Sequence, residues 1–267
     1  MWVGATLVQR RGSVGELSQA STTVSKSNLS DQVADQLVRM IIESGLQPGH
    51  AIPTEAELTE RFGVSRLIVR EGIRILTARE ILVSSQGRAA TVRLPGSKVI
   101  SQVLEFRLAF EDVTLNELLR VRESLEVDAV FQAAIRQDLE ALAEAELALS
   151  TMSRHKKDVD TFISSDLEFH QALARASGNR VSELMLDSIQ DLLLELRRES
   201  YRGRKASPGG LGLVLSAHQR ILDAVVAGDA GGAAAEMRNH LHDTLSDLSK
   251  SAAKPALPGQ RLSEAKR

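Results

Sequence analysis

From Val99 to about residue 249, apolar residues recur every three or four positions with almost no interruption. That spacing puts one apolar stripe on each of a series of helices, whereas strands need strict alternation. Stripes of this kind are hidden by packing helix on helix, so this stretch is expected to form an all-α antiparallel bundle. A first helix carries Val99, Val103, Phe106 and Phe110 on one face, and a longer one starts near Leu115. Others are expected at about 138–154, 158–176, 180–201, 213–227 and 230–249. Val181, Met185, Ile189, Leu192 and Leu196 read as plain core.

The bundle pattern begins after Leu94-Pro95-Gly96-Ser97, which neither helix nor strand accommodates well. Before it lies a short mixed segment. Ser30 opens a helix with Val33, Leu37 and Ile41 on one side; Gly45 closes it and Pro48-Gly49 turns the chain. Thr54-Glu55-Ala56-Glu57 is a capping box for a short helix that buries Leu58 and Phe62 and breaks at Gly63. Ser65 caps a third helix, with Val69, Ile73 and Leu76 facing inward. Ile81–Ser85 and Ala90–Arg93 are β-rich and joined by a glycine-containing loop, a hairpin signal. Three short helices and a hairpin read as a winged helix-turn-helix.

The expected fold class is therefore mainly α, with a small β-hairpin wing in its N-terminal part. The expected division is a disordered tail over 1–28, a DNA-binding domain over 29–94 and a linker over 95–98. An all-α domain follows over 99–250, then a second disordered tail over 251–267. A length of 267 residues suits two domains, and 43% hydrophobic residues suffice for two cores. With no cysteine, disulfides, thiolate metal sites and cysteine nucleophiles are excluded. No apolar run is long enough to span a bilayer and the N-terminus fits a secretory signal poorly, so a cytoplasmic location is expected. Aromatic residues make up only 3%, which disfavours binding single strands by base stacking. Residues 1–96 hold eleven Lys/Arg against nine Asp/Glu, an excess too weak to identify a nucleic-acid binder.

DNA binding has to be argued from local arrangement. Arg66, Arg70 and Arg74 lie four apart on the third helix, with Arg66 and Arg70 near the end that a recognition helix presents to base edges. The planar fork of arginine can take guanine O6 and N7 together. The competing reading is a solvated face paired with Glu71 or Glu80. Gly45 with Pro48-Gly49, then Ile52-Pro53-Thr54-Glu55-x-Glu57-Leu58, then Phe62-Gly63-Val64-Ser65-Arg66-x-x-Val69-Arg70-Glu71, resembles the GntR family of bacterial transcription regulators. The resemblance spans about 29–93. It implies that Ser65, Arg66 and Arg70 contact DNA, and that the wing tip at Gln86, Gly87 and Arg88 enters the minor groove.

In the helical segment, ionisable groups occupy stripe positions. Asp166 and His170 lie i, i+4 between Phe162 and Leu173; His218 lies between Val214 and Ile221; His240 follows Met237. Burying them unpaired costs several kcal/mol per charge, roughly. A divalent cation removes that cost, and one carboxylate with three imidazoles suits zinc or nickel better than magnesium or calcium. Taken singly, each histidine also reads as a hydrogen-bonded core residue. His242, about 200° round the helix from His240, should face solvent. Arg122 lies on the stripe of Leu118, Leu125 and Ala129, where it either snorkels, pairs with an internal acid or awaits an anion.

Val121-Arg122-x-x-Leu125-Glu126, Asp166-x-x-Phe169-His170-x-Ala172-Leu173 with Ser177-Gly178-Asn179, and His218-x-x-Ile221-x-x-Ala224 with Gly228-Asp229 and His240-Leu241, resemble the FCD effector domain of the FadR subfamily. The resemblance covers about 99–248, and the region before Leu115 is long enough for the extra helix of the FadR-type bundle. It implies a metal site at Asp166, His170, His218 and His240, and small organic or sugar acids as effectors, with Arg122 and Asn179 in contact with them. The expected molecule is a homodimeric, acid-controlled repressor reading a pseudo-palindromic operator, and not an enzyme. Two alternatives stand beside it: a regulator whose metal cluster is structural and whose acyl-type effector binds elsewhere, and a metal-dependent hydrolase.

Overall fold

The computed structural model describes residues 27–84, 88–110, 114–207 and 209–250. The expected tails over 1–28 and 251–267 lie outside the described residues, apart from 27 and 28. Eleven helices and one two-stranded sheet are found among the described residues, in two compact units divided between Arg93 and Leu94.

The first unit runs α1 (Ser27–Glu43), α2 (Glu55–Phe62), α3 (Arg66–Ala78), β1 (Leu82–Val83) and β2 (Thr91–Val92). The first helix starts three residues earlier than its serine signal suggested. Thr54 and Glu57 form the capping box reciprocally: Thr54 Oγ1 accepts from the Glu57 amide and Glu57 accepts from the Thr54 amide. Gly63 ends α2 at φ 64°, left-handed backbone that an L side chain disfavours. α1 and α3 cross so closely that a Cβ on Gly72 would stand 2.7 Å from Val33 Cγ1. Val33, Leu37 and Ile41 meet Leu58, Val69 and Leu76 in the core, which Leu82 and Val92 of the wing complete. Strands β1 and β2 are antiparallel, pairing Leu82 with Val92 and Val83 with Thr91. The segment around Ala51 adds to β2 as an isolated bridge, with Ile52 N donating to Ala90 O and Val92 N donating to His50 O. Nothing in the proline-flanked sequence there signalled a strand.

The second unit contains α4 (Ser97–Leu108), α5 (Leu115–Arg136), α6 (Leu139–Arg154), α7 (Val159–Ala176), α8 (Arg180–Leu192), α9 (Leu194–Ala206), α10 (Gly210–Val226) and α11 (Ala230–Lys250). Alanines 141, 145 and 148 of α6 and 172 and 176 of α7 are buried in a core shared with Phe162, Phe169, Ile221 and Met237. Small side chains let helix backbones approach, and the large ones fill the centre.

Two sequence expectations fail here. The 180–201 helix is two helices, because Leu193 leaves helical geometry at φ −94°, ψ 1°. Val181 consequently is exposed and Met185 half-buried, while Leu186 is buried in their place. On α4 Val103 and Phe106 are exposed, as is Phe110 just past its end, and Ser101 is buried instead, with Leu104 and Leu108 packed beside α8 residues. Ser101 Oγ donates to Ser188 O at 3.0 Å, so a small hydroxyl at the contact won over the bulkier face.

Candidate DNA-binding face and metal centre

Residues 66 and 70 are carried on α3 as expected, and both side chains are exposed. Arg70 Nε donates to both oxygens of Glu55, at 3.0 and 2.8 Å, across from α2. Arg74 pairs with Glu71 at 3.1 Å, whereas Glu80 faces Arg93 at 3.6 Å. Arg66 carries no ion pair among the described residues, so its fork is open to solvent. Ser65 stands at the N-cap position, but its hydroxyl makes no bond to the helix amides. That corrects the expectation that it caps with its side chain, and it leaves the hydroxyl exposed beside Arg66. Arg88 is exposed; Gln86 and Gly87 lie outside the described residues.

In the bundle, three helices converge. Asp166 and His170 come from α7, His218 from α10 and His240 from α11, and all three imidazoles are buried. One ring nitrogen from each histidine lies within 4.8 Å of those of the other two. Asp166 Oδ1 stands 3.0 Å from His218 Nε2 and 3.9 Å from His170 Nε2. His242 is exposed and faces Glu123 at 3.8 Å, the solvent side that its spacing predicted.

The hydrogen atoms can be assigned from the partners. His218 Nδ1 is 2.8 Å from the Val214 carbonyl, so that nitrogen donates and Nε2 holds the lone pair. His170 Nδ1 is 2.6 Å from Glu126 Oε2, an ion-pair distance. The His218 lone pair therefore faces a carboxylate oxygen, a repulsive arrangement that a cation between them reverses. His170 Nε2 and His218 Nε2 are buried without a hydrogen bond among the described residues. Burial, and then neighbouring His170, push His218 down to about 3; burial, and then His218, hold His240 well below its ordinary range. Neutral imidazoles are the ligating form. The residues present thus fit a divalent transition metal.

Behind the ligands is a supporting layer. Arg122 Nε donates to Glu126 Oε1 at 2.5 Å, both side chains being buried on α5. Burial alone would raise the Glu126 carboxyl, but Arg122, His170 and Arg197 outweigh it and hold it well below the ordinary carboxylate range. Glu126 stands against the His170 ring, in the place of a carboxylate behind a metal-bound histidine. Arg197 of α9 pairs with Asp166 Oδ2. Arg122, Asp166, Arg197 and His240 line a cavity of about 170 Å³ together with apolar residues such as Leu119 and Phe162.

Asn179 does not join this site. Its Oδ1 accepts from the Val181 and Ser182 amides at 3.2 Å, which caps α8, and the side chain is exposed. It lines a separate surface hollow with Asp128 and Gln132. The side chain is thus occupied in capping, away from the cavity that Arg122 lines. Conversely, Arg197 and the role of Glu126 were not read from the sequence. Arg197 sits in the charged run Arg197-Arg198-Glu199, which looks solvated. Only its spacing after Leu193 hinted otherwise, and the break at that residue hid the phase.

The architecture defines a class: a winged helix-turn-helix unit joined in sequence to an α-helical bundle that gathers a buried imidazole cluster beside a small cavity. The family "Bacterial regulatory proteins, gntR family" matches residues 29–92, and the FCD domain matches residues 117–243. The chain is 32% identical to the HTH-type transcriptional regulator LutR of Bacillus subtilis over 206 residues, 76% of this chain and 93% of LutR. It is 28% identical to the galactonate operon transcriptional repressor of Escherichia coli, over 74% of this chain and 87% of that protein. A solved structure of Streptococcus agalactiae GntR superposes with a TM-score of 0.60 at 25% identity, covering 80% of this chain and 98% of that one. The chain belongs to the GntR family of DNA-binding transcription regulators and carries an FCD domain. Membership in a family of regulators removes the hydrolase alternative. No helix among the described residues is long and apolar enough to cross a membrane.

Proposed function

We propose that this regulator is a metal-dependent acid sensor. Asp166, His170, His218 and His240 hold one divalent transition metal, zinc fitting best and nickel next. A small organic or sugar acid binds in the adjoining cavity, with its carboxylate near the ion and near Arg122. The ion supplies the fixed positive charge that attracts the acid. Two copies of the chain bind the two half-sites of a pseudo-palindromic operator through Ser65, Arg66, Arg70 and the wing tip at Gln86, Gly87 and Arg88. The acid shifts the population between DNA-competent and incompetent forms, which requires unequal affinity for the two. In the repressor reading, it favours release.

The observation that carries this proposal is the convergence of three buried imidazoles and one carboxylate, with the unprotonated His218 nitrogen facing an acid oxygen. The name of the galactonate operon repressor supports an acid as the class of signal. The test is metal analysis of the purified chain followed by a thermal-shift screen of small acids with and without chelator. One zinc per chain and an acid response abolished by chelator are expected. Zinc without any acid response would favour a structural cluster with an acyl-type effector bound elsewhere. Absence of bound metal after zinc loading and desalting would sink the sensor.

A further inference from the structure

Two arginines in the bundle share one arrangement. Arg122 gives Nε to Glu126 and leaves Nη2 buried without a hydrogen bond among the described residues. Arg197 gives Nη1 to Asp166 and leaves Nε and Nη2 in the same condition. Both line the cavity that His240 and Asp166 also line. Each guanidinium therefore holds part of the metal cluster with one edge: Asp166 directly for Arg197, and His170 by way of Glu126 for Arg122.

Asp166 divides its two oxygens. Oδ1 faces His218 Nε2 and His170 Nε2, while Oδ2 takes Arg197. Arg197 can thus keep its carboxylate while Oδ1 serves an ion. Simple charge neutralisation of Asp166 would need only one donor, and a lysine would do it. A planar fork with its remaining donors buried and unanswered is suited to a second acceptor in a fixed direction. Buried N–H groups without partners are costly, so a ligand that supplies oxygens there is favoured.

We propose that Arg197 is a second effector-contacting cation, binding an acidic group of the effector with one edge while holding the metal-side carboxylate Asp166 with the other. This rests on the metal-and-acid reading above and adds to it a residue and a coupling. The ligand class is a small acid whose oxygens reach two guanidinium groups as well as the ion. Through Arg197, occupancy of the cavity acts on the orientation of a metal ligand.

The experiment uses the full chain, zinc-loaded, with the variants Arg197→Lys and Arg197→Gln. L-Lactate, galactonate and citrate are the probes, read by titration calorimetry with zinc content measured alongside. In Arg197→Lys, zinc content and the acid-free melting temperature should stay near those of the unsubstituted chain, because an ammonium still neutralises Asp166. Affinity for the acid bound by the unsubstituted chain should fall about 10- to 100-fold, the loss of a charge-assisted hydrogen bond. Arg197→Gln should lower zinc affinity as well. Acid affinity within about twofold of the unsubstituted chain in Arg197→Lys overturns this proposal and leaves the sensor reading standing. A zinc-loaded unsubstituted chain that binds none of the probes overturns both. Should the lysine variant not fold, a crystal structure of the unsubstituted chain with zinc and acid decides. A carboxylate farther than about 3.5 Å from every Arg197 nitrogen overturns the assignment.

Discussion

His218 illustrates how much one hydrogen bond settles. The Val214 carbonyl takes its Nδ1 proton, so the nitrogen facing Asp166 has only a lone pair to offer. Glu126 Oε2 stands 2.6 Å from the Nδ1 of His170, the neighbouring ring of the cluster. We predict that Glu126→Gln leaves all four ligands present but lowers zinc affinity about 10- to 100-fold, because the ring it orients is freed. Competition with a chromophoric chelator measures this; unchanged affinity would show that Glu126 does not orient the site. At the other unit, Arg66 makes no ion pair among the described residues, where Arg70 is held by Glu55. Arg66→Ala should weaken operator binding by about 1–3 kcal/mol, with the circular dichroism spectrum and melting temperature unchanged. Gel-shift affinity equal to that of the unsubstituted chain would move the recognition surface off the start of α3.

Single helices behave as their ends and faces dictate. The capping boxes at Thr54 and Thr114 are formed as reciprocal pairs. Thr54→Ala should destabilise the N-terminal unit by about 1 kcal/mol, read from urea unfolding at neutral pH. The pH dependence has a defined sign. The Thr54 hydroxyl, and then its amide, hold Glu57 below its ordinary 4.5. A depressed carboxyl contributes stability above 4.5 and loses it as pH falls through the folded value. The gap between Thr54→Ala and the unsubstituted chain should therefore narrow below about pH 4.5 and stay constant above it; a gap that widens in acid would contradict the cap. The Thr54 box was legible because a cap is made by residues three apart. The α4 face was not legible, since the sequence offered two apolar sides and the choice fell to what α8 presents, a serine contact at Ser188. The end of α8 at Leu193 was equally hidden, because leucine carries no breaking signal.

At the level of the whole molecule, the proposed metal and the fold would be linked. The proposed ligands come from α7, α10 and α11 and are supported from α5 and α9, so an ion there would tie five helices of the bundle to one point. A ligand that binds only the folded state stabilises it by about 2.7 kcal/mol at a hundredfold excess over its dissociation constant. Removing zinc with chelator should lower the melting temperature of the bundle, and the loss should be restored in proportion to the logarithm of added zinc. His218→Ala should abolish that response and empty most of the site; a variant with full zinc occupancy would remove His218 from the ligand set. The DNA-binding unit, with a core of its own, should melt unchanged by the chelator.

Local pattern alone decided the class of this protein. Helix stripes, caps and the residues of the third helix are matters of neighbours three or four apart, and so was the inward aim of Asp166, His170, His218 and His240. Convergence is another matter, because residues separated by up to seventy-four positions meet only after the helices have packed. Folding also decided what the stripe could not: that Asn179 would spend its side chain on a helix end, that Glu126 would stand behind His170, and that Arg197, in a run of charges, would turn inward onto Asp166. Periodicity fixes which side of a helix is hidden, while the identity of what it is hidden against follows from volume and charge brought together across the bundle.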